Sequence, residues 1–75
     1  MAAQTFFDLN AMLVELEQLE QRERHVSRMR RRLHDRIDAF PNETLREQER
    51  AISAERRELH RRIDTLRAQL ELGRA

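Results

Sequence analysis

Apolar residues return every three or four positions along most of this chain, and the pattern is broken once, at Pro41. Leu9, Met12, Leu16, Leu19, Val26, Leu33, Ile37 and Phe40 form the a/d seam of a heptad repeat. A second seam runs through Leu45, Ile52, Leu59, Ile63, Leu66 and Leu70, ending near Gly73. Proline cannot continue a helix and pushes its predecessor out of helical geometry. Asn42 and the Thr44-Leu-Arg-Glu47 sequence supply capping-box chemistry for a new start. Two amphipathic helices joined by so short a link can bury their stripes only on each other. The expected fold is all-α, a two-helix antiparallel coiled-coil hairpin forming a single domain over 1–75. Its helices fall at about 8–40 and about 44–72, with the turn at about 41–43, in a rod roughly 45 Å long at 1.5 Å per residue.

At 75 residues the chain has room for one thin core and no deep enzyme pocket. It contains no Cys, so a disulfide framework and a thiolate metal site are both excluded. Met1-Ala2-Ala3-Gln4 has neither the basic start nor the apolar run of a signal peptide, and the expected location is cytoplasmic. No membrane contact is expected. Phe7 and Met12 flank Asp8 at the spacing of a hydrophobic staple, which places the first helix start at Asp8. Phe6 and Phe7 then lie beyond the end of the second helix, either as an exposed aromatic partner contact or as a frayed terminus.

Sliding the sequence by 26 positions aligns residues 23–38 with 49–64, and ten of the sixteen pairs are identical. The shared Leu33/Leu59 and Ile37/Ile63 are what any coiled coil repeats. The shared polar residues are different. Glu23, Ser27, Arg30, His34 and Asp38 recur as Glu49, Ser53, Arg56, His60 and Asp64, spaced four, three, four and four, so each set stacks turn upon turn along one helix face.

Glu23, Arg30, Glu49 and Arg56 occupy seam positions, where Leu or Ile would bury more area without desolvating a charge. An ion-pair network fixing antiparallel register would account for the Glu and Arg but not for the repeated Ser and His. Folding about the midpoint between Asp38 and Glu49 sets Glu23 opposite Asp64, Ser27 opposite His60 and Arg30 near Arg56. The stripes thus face each other head to tail in a pseudo-twofold groove suited to a twofold-symmetric ligand. All fifteen basic residues are Arg, whose planar fork pairs with phosphates or with the O6/N7 edge of guanine. Carboxylates can accept from guanine N1–H and N2–H2, and Ser and His can bind phosphate or ribose oxygens.

These residues resemble the motif of RsiG-type anti-sigma factors of actinobacteria, E-x3-S-x2-R-x3-Q-x3-D on both helices of an antiparallel coiled coil. Both copies match at four of five positions, and the resemblance covers residues 23 to 64. It implies that two intercalated cyclic di-GMP molecules dock on Glu23, Ser27, Arg30, His34, Asp38, Glu49, Ser53, Arg56, His60 and Asp64. It also implies that the loaded hairpin holds a flagellar/sporulation-type sigma factor away from RNA polymerase. The departure is His34 and His60 in place of Gln. An imidazole that gains a proton donates twice and adds charge towards phosphate, so tighter binding is expected at about pH 6 than at about pH 8.

Two other roles fit parts of the sequence. A plain coiled-coil adaptor without a small-molecule ligand would share the fold. Leu33-His-Asp-Arg-Ile-Asp38 faintly resembles the first helix of all-helical chorismate mutases, but that fold needs further helices and an active-site Lys, and this chain has no Lys. No enzymatic activity is expected. His25 has no counterpart in the second copy and is expected on the surface, and no His and carboxylate trio has zinc spacing. Direct nucleic-acid binding is not expected, because acidic residues interrupt the Arg faces and no aromatic side chain is placed to stack bases.

Overall fold

The protein is described here from a computed structural model covering residues 2–74, with side chains described over 9–72. Helix α1 spans Ala2–Ala39 and α2 spans Glu43–Arg74. They pack along their lengths as an antiparallel hairpin measuring 56 × 16 × 15 Å. The all-α hairpin expected from the two seams is therefore the observed architecture.

The rod is longer than expected because α1 begins at Ala2, not near Asp8. Nothing between Ala2 and Asp8 breaks a helix: there is no Gly or Pro, and Ala and Gln are good helix formers. The side chains of Phe6, Phe7 and Asp8 lie outside the described residues. At the turn, Phe40 N–H still donates to the Arg36 carbonyl at 2.8 Å before Pro41 ends the ladder. Asn42 is the N-cap of α2, its Oδ1 accepting from the backbone of Thr44 at 2.8 Å and Leu45 at 3.3 Å. Thr44 and Glu47 lie inside the first turns of α2, so the cap is a single Asn and not a Thr–Glu box.

The core is one file of interlocking side chains. Leu19, Val26, Leu59, Ile63 and Leu66 are buried together, with Met12, Leu16 and Ile52 packed against them. Leu33 and Leu70 are buried as well. Burial is thinner near the turn, where Ile37 and Leu45 are only half-buried. Phe40, expected in the seam, is 77% exposed because it lies past the end of α1, where the chain turns away. Leu9, at the open end, is also exposed. Ion pairs line both edges of the seam: Arg22–Glu55 and Arg62–Glu15 on one, Arg67–Glu20 on the other. These are exposed, solvent-screened pairs, and they trim the register more than they hold the fold. Among the described residues, no helix is long and apolar enough to cross a membrane.

Candidate ligand-binding site

The two polar stripes meet along one edge of the seam and assemble into two like clusters, each built from both helices. In the first, Ser27 Oγ donates to Glu23 Oε1 at 2.6 Å, Arg56 Nε donates to Ser27 Oγ at 3.1 Å, and His60 Nε2 lies 3.3 Å from Glu23 Oε1. In the second, Ser53 Oγ donates to Glu49 Oε1 at 2.6 Å, Arg30 Nε donates to Ser53 Oγ at 3.0 Å, and His34 Nε2 lies 3.0 Å from Glu49 Oε1. With Nε2 protonated, each cluster is a directed chain, Arg to Ser to Glu, closed from the other side by His.

Direct Arg–Glu contact is looser, 3.8 Å for Arg56–Glu23 and 3.6 Å for Arg30–Glu49. The serine, not the ion pair, carries the hydrogen bond between helices. Each Arg is gripped through Nε, and the Nη nitrogens of Arg30 and Arg56 make no hydrogen bond to another described residue. All four Glu and Arg side chains are half-buried, with the carboxylates 21% exposed.

This environment favours the charged carboxylates. The Ser27 hydroxyl, the largest influence, holds the Glu23 carboxyl below the ordinary glutamate range, helped by the charges of His60 and Arg56 against the opposing effect of burial. Glu49 is lowered in the same way, first by the Ser53 hydroxyl and then by the His34 hydrogen bond, with Arg30 adding a smaller attraction.

The pseudo-twofold arrangement is as expected, but the register differs by about one helical turn. Ser27 meets Arg56 and not His60, and Glu23 meets His60 and not Asp64. The cause is the turn. With α1 ending at Ala39 and α2 starting at Glu43, the hairpin folds about the point between Pro41 and Asn42, two residues before the midpoint of Asp38 and Glu49. Eight stripe residues are brought together, and two are not. Asp38 and Asp64 are exposed and make no hydrogen bond to a described residue. Asp38 lines a shallow recess of about 300 Å³ with His34, Ile37, Arg46 and Glu49.

A second recess, about 380 Å³, opens at the first cluster between Glu23, Ser27 and Arg56 and the exposed Arg24, Arg28 and Arg31. These three arginines were not singled out by the repeat. The available signal was their four- and three-residue spacing, which sets them in one row beside Glu23 and Ser27. His25 is exposed. Among the described residues, no three His, Asp or Glu side chains converge as a metal site requires. No protein-family model, curated protein or solved structure matches the chain.

Proposed function

We propose that this hairpin is a cyclic di-GMP-binding anti-sigma factor that sequesters a flagellar/sporulation-type sigma factor when loaded with nucleotide. The observation that carries the proposal is the pair of like Arg–Ser–Glu–His clusters facing one edge of the hairpin, each holding a guanidinium by Nε with Nη unspent. Arg30 and Arg56 would present those Nη groups to phosphate oxygens or to the O6/N7 edge of guanine. Glu23 and Glu49, ionised and partly open to solvent, would accept from guanine N1–H and N2–H2. Ser27, Ser53, His34 and His60 would bind phosphate or ribose oxygens. Asp38 and Asp64 stand outside the clusters and are free to meet a ligand that extends past them.

Function then follows by linkage. Ligand bridging the two helices stabilises one hairpin geometry, and a partner that prefers this geometry binds more tightly by the same free energy. The test is a calorimetric titration with cyclic di-GMP, with cyclic di-AMP as control. A stoichiometry near two per hairpin with cyclic di-GMP alone supports the proposal, and no heat with either ends it.

The plain coiled-coil adaptor has one observation in its favour. The clusters satisfy themselves internally, as a register-fixing network would, and no buried side-chain polar atom among the described residues lacks a partner. Replacing the two seam arginines with Leu separates the roles: an adaptor keeps its partner, whereas a nucleotide clamp loses its ligand.

A further inference from the structure

The repeat makes the two clusters alike, but the ground around them is not. Beside Ser27, the recess of about 380 Å³ is lined by four guanidiniums, from Arg24, Arg28, Arg31 and Arg56, against the single carboxylate of Glu23. The positions that correspond beside the other cluster are Glu49, Arg50, Ser53, Ala54, Arg57 and Arg30, with one guanidinium fewer. The ground beside Ser27 therefore attracts anions more strongly than the ground beside Ser53.

The 26-residue offset shows where the symmetry is lost. Arg28 corresponds to Ala54, a position with no charge at all. Arg24 corresponds to Arg50, whose Nη2 is engaged by Glu43 Oε1 at 3.0 Å. Only Arg31 has an equivalent of the same kind, Arg57. Arg24, Arg28 and Arg31 make no ion pair with another described residue, whereas Arg22, Arg56, Arg62 and Arg67 do. Unpaired guanidiniums in one row along a helix face repel one another, and an anion that lies across them relieves that repulsion.

We infer that the two clusters are unequal anion sites: the cleft formed by Arg24, Arg28, Arg31 and Arg56 beside Ser27 takes a phosphate group first, and the cluster around Ser53 second. The inference rests on the proposed cyclic dinucleotide function and assigns its order of loading. The first phosphodiester enters the arginine cleft, where Ser27 Oγ lies at the rim. The second ligand meets Arg30 and Arg57 without the added charge of a residue at position 54. Because the added attraction comes from exposed charges, the first step depends on salt more steeply than the second.

The experiment is a calorimetric titration of the full chain with cyclic di-GMP at low and high salt. It is run on the wild type, on Arg28→Ala, which gives the first site the second site's residue, and on Ala54→Arg, which does the reverse. Both positions are exposed and lie on the outer side of their helices, so the hairpin is preserved, as far-ultraviolet circular dichroism will verify. The wild type should fill in two steps whose affinities differ by about fivefold or more, the scale of one exposed charge-assisted contact. Arg28→Ala should weaken the first step by about that factor and bring the steps together. Ala54→Arg should strengthen the second. Two equivalent steps in the wild type, or a profile that neither variant changes, overturns the unequal-site inference and leaves the cyclic dinucleotide function standing. The absence of heat in all three proteins overturns both.

Discussion

Replacing Arg30 and Arg56 together with Leu should make the hairpin more stable and abolish its response to cyclic di-GMP. Both side chains sit in the seam, still 36% and 38% exposed. Their apolar neighbours Val26, Leu33 and Leu59 are buried to 1%, 7% and 5% exposure, so a Leu at either position enters the same file. Full burial of a Leu contributes about 1.5–3 kcal/mol. The Arg methylenes already cover part of that surface, which leaves a net apolar gain of about 1 kcal/mol per site. Against it stand one Arg–Ser hydrogen bond and one loose, half-exposed Arg–Glu contact, together about 0.5–1 kcal/mol. Releasing the guanidinium from partial desolvation, and the long side chain from its fixed rotamer, offsets most of that loss.

The carboxylates left behind are not stranded. Glu23 keeps Ser27 and His60, Glu49 keeps Ser53 and His34, and both retain access to water. The sum is a gain of about 1 kcal/mol per site, hence about 2 kcal/mol for the pair, or a rise in Tm of about 8–15 °C for a domain of this size. Urea unfolding followed at 222 nm measures the first quantity and a thermal scan the second. Calorimetry on the same protein should register no heat with cyclic di-GMP. A loss of about 1 kcal/mol or more would refute the reasoning, because the arginines would then be fixing the register, and the adaptor role would be preferred.

Three further outcomes follow from the same geometry. Because Glu23 and Glu49 have lowered pKa values in the folded state, their contribution to stability is complete above the ordinary glutamate value of about 4.3 and is lost as pH falls through the lower folded-state values. Urea midpoints measured between about pH 6 and about pH 3 should drop less steeply in the Glu23→Gln, Glu49→Gln double variant than in the wild type. Asn42→Ala removes the cap that accepts from Thr44 and Leu45 and should cost about 1 kcal/mol in the same assay, with Asn42→Ser recovering most of it. His34→Gln with His60→Gln keeps a hydrogen-bond donor for each carboxylate and should retain cyclic di-GMP binding in calorimetry; its loss would show that the imidazoles themselves meet the ligand.

The hairpin could be read from the sequence because its determinants are local. One proline divides two seams, and each seam has only the other to pack on. The register could not be read so well, since the midpoint of the two motifs, between Asp38 and Glu49, is not the midpoint of the turn. The chain folds about the turn, with Asn42 as the cap, and this lies two residues before the motif midpoint and moves every cross-helix pairing by four. That shift separates Asp38 and Asp64 from the other eight stripe residues, although all ten share the 26-residue offset. The helix start was misplaced for a related reason. A staple pattern around Asp8 marks a possible cap, but it cannot stop a helix when the residues upstream of it also favour helix. The arginine cleft is not legible from the repeat because it depends on a position where the two copies differ, Arg28 in the first and Ala54 in the second.

The form of the clusters bears on why charges occupy a seam at all. A network selected only to fix register would bring guanidinium and carboxylate together in a bidentate pair, the strongest arrangement open to them. Here a serine stands between them. Ser27 and Ser53 each accept from an arginine of the opposite helix and donate to a glutamate of their own, while the direct Arg–Glu distances remain at 3.8 and 3.6 Å. The serine fixes the guanidinium by its Nε edge, leaves Nη without a partner among the described residues, and keeps the carboxylate ionised. Gripping the guanidinium by one edge weakens the cluster as a strut, and on the proposed function the groups that would meet a ligand are oriented and charged before it arrives. The same logic makes Ser27→Ala and Ser53→Ala informative beyond their small effect on stability. If the serines only supported the fold, arginine would close directly on glutamate and little would change. If they hold the arginines ready, binding should weaken well beyond the loss of one hydroxyl contact.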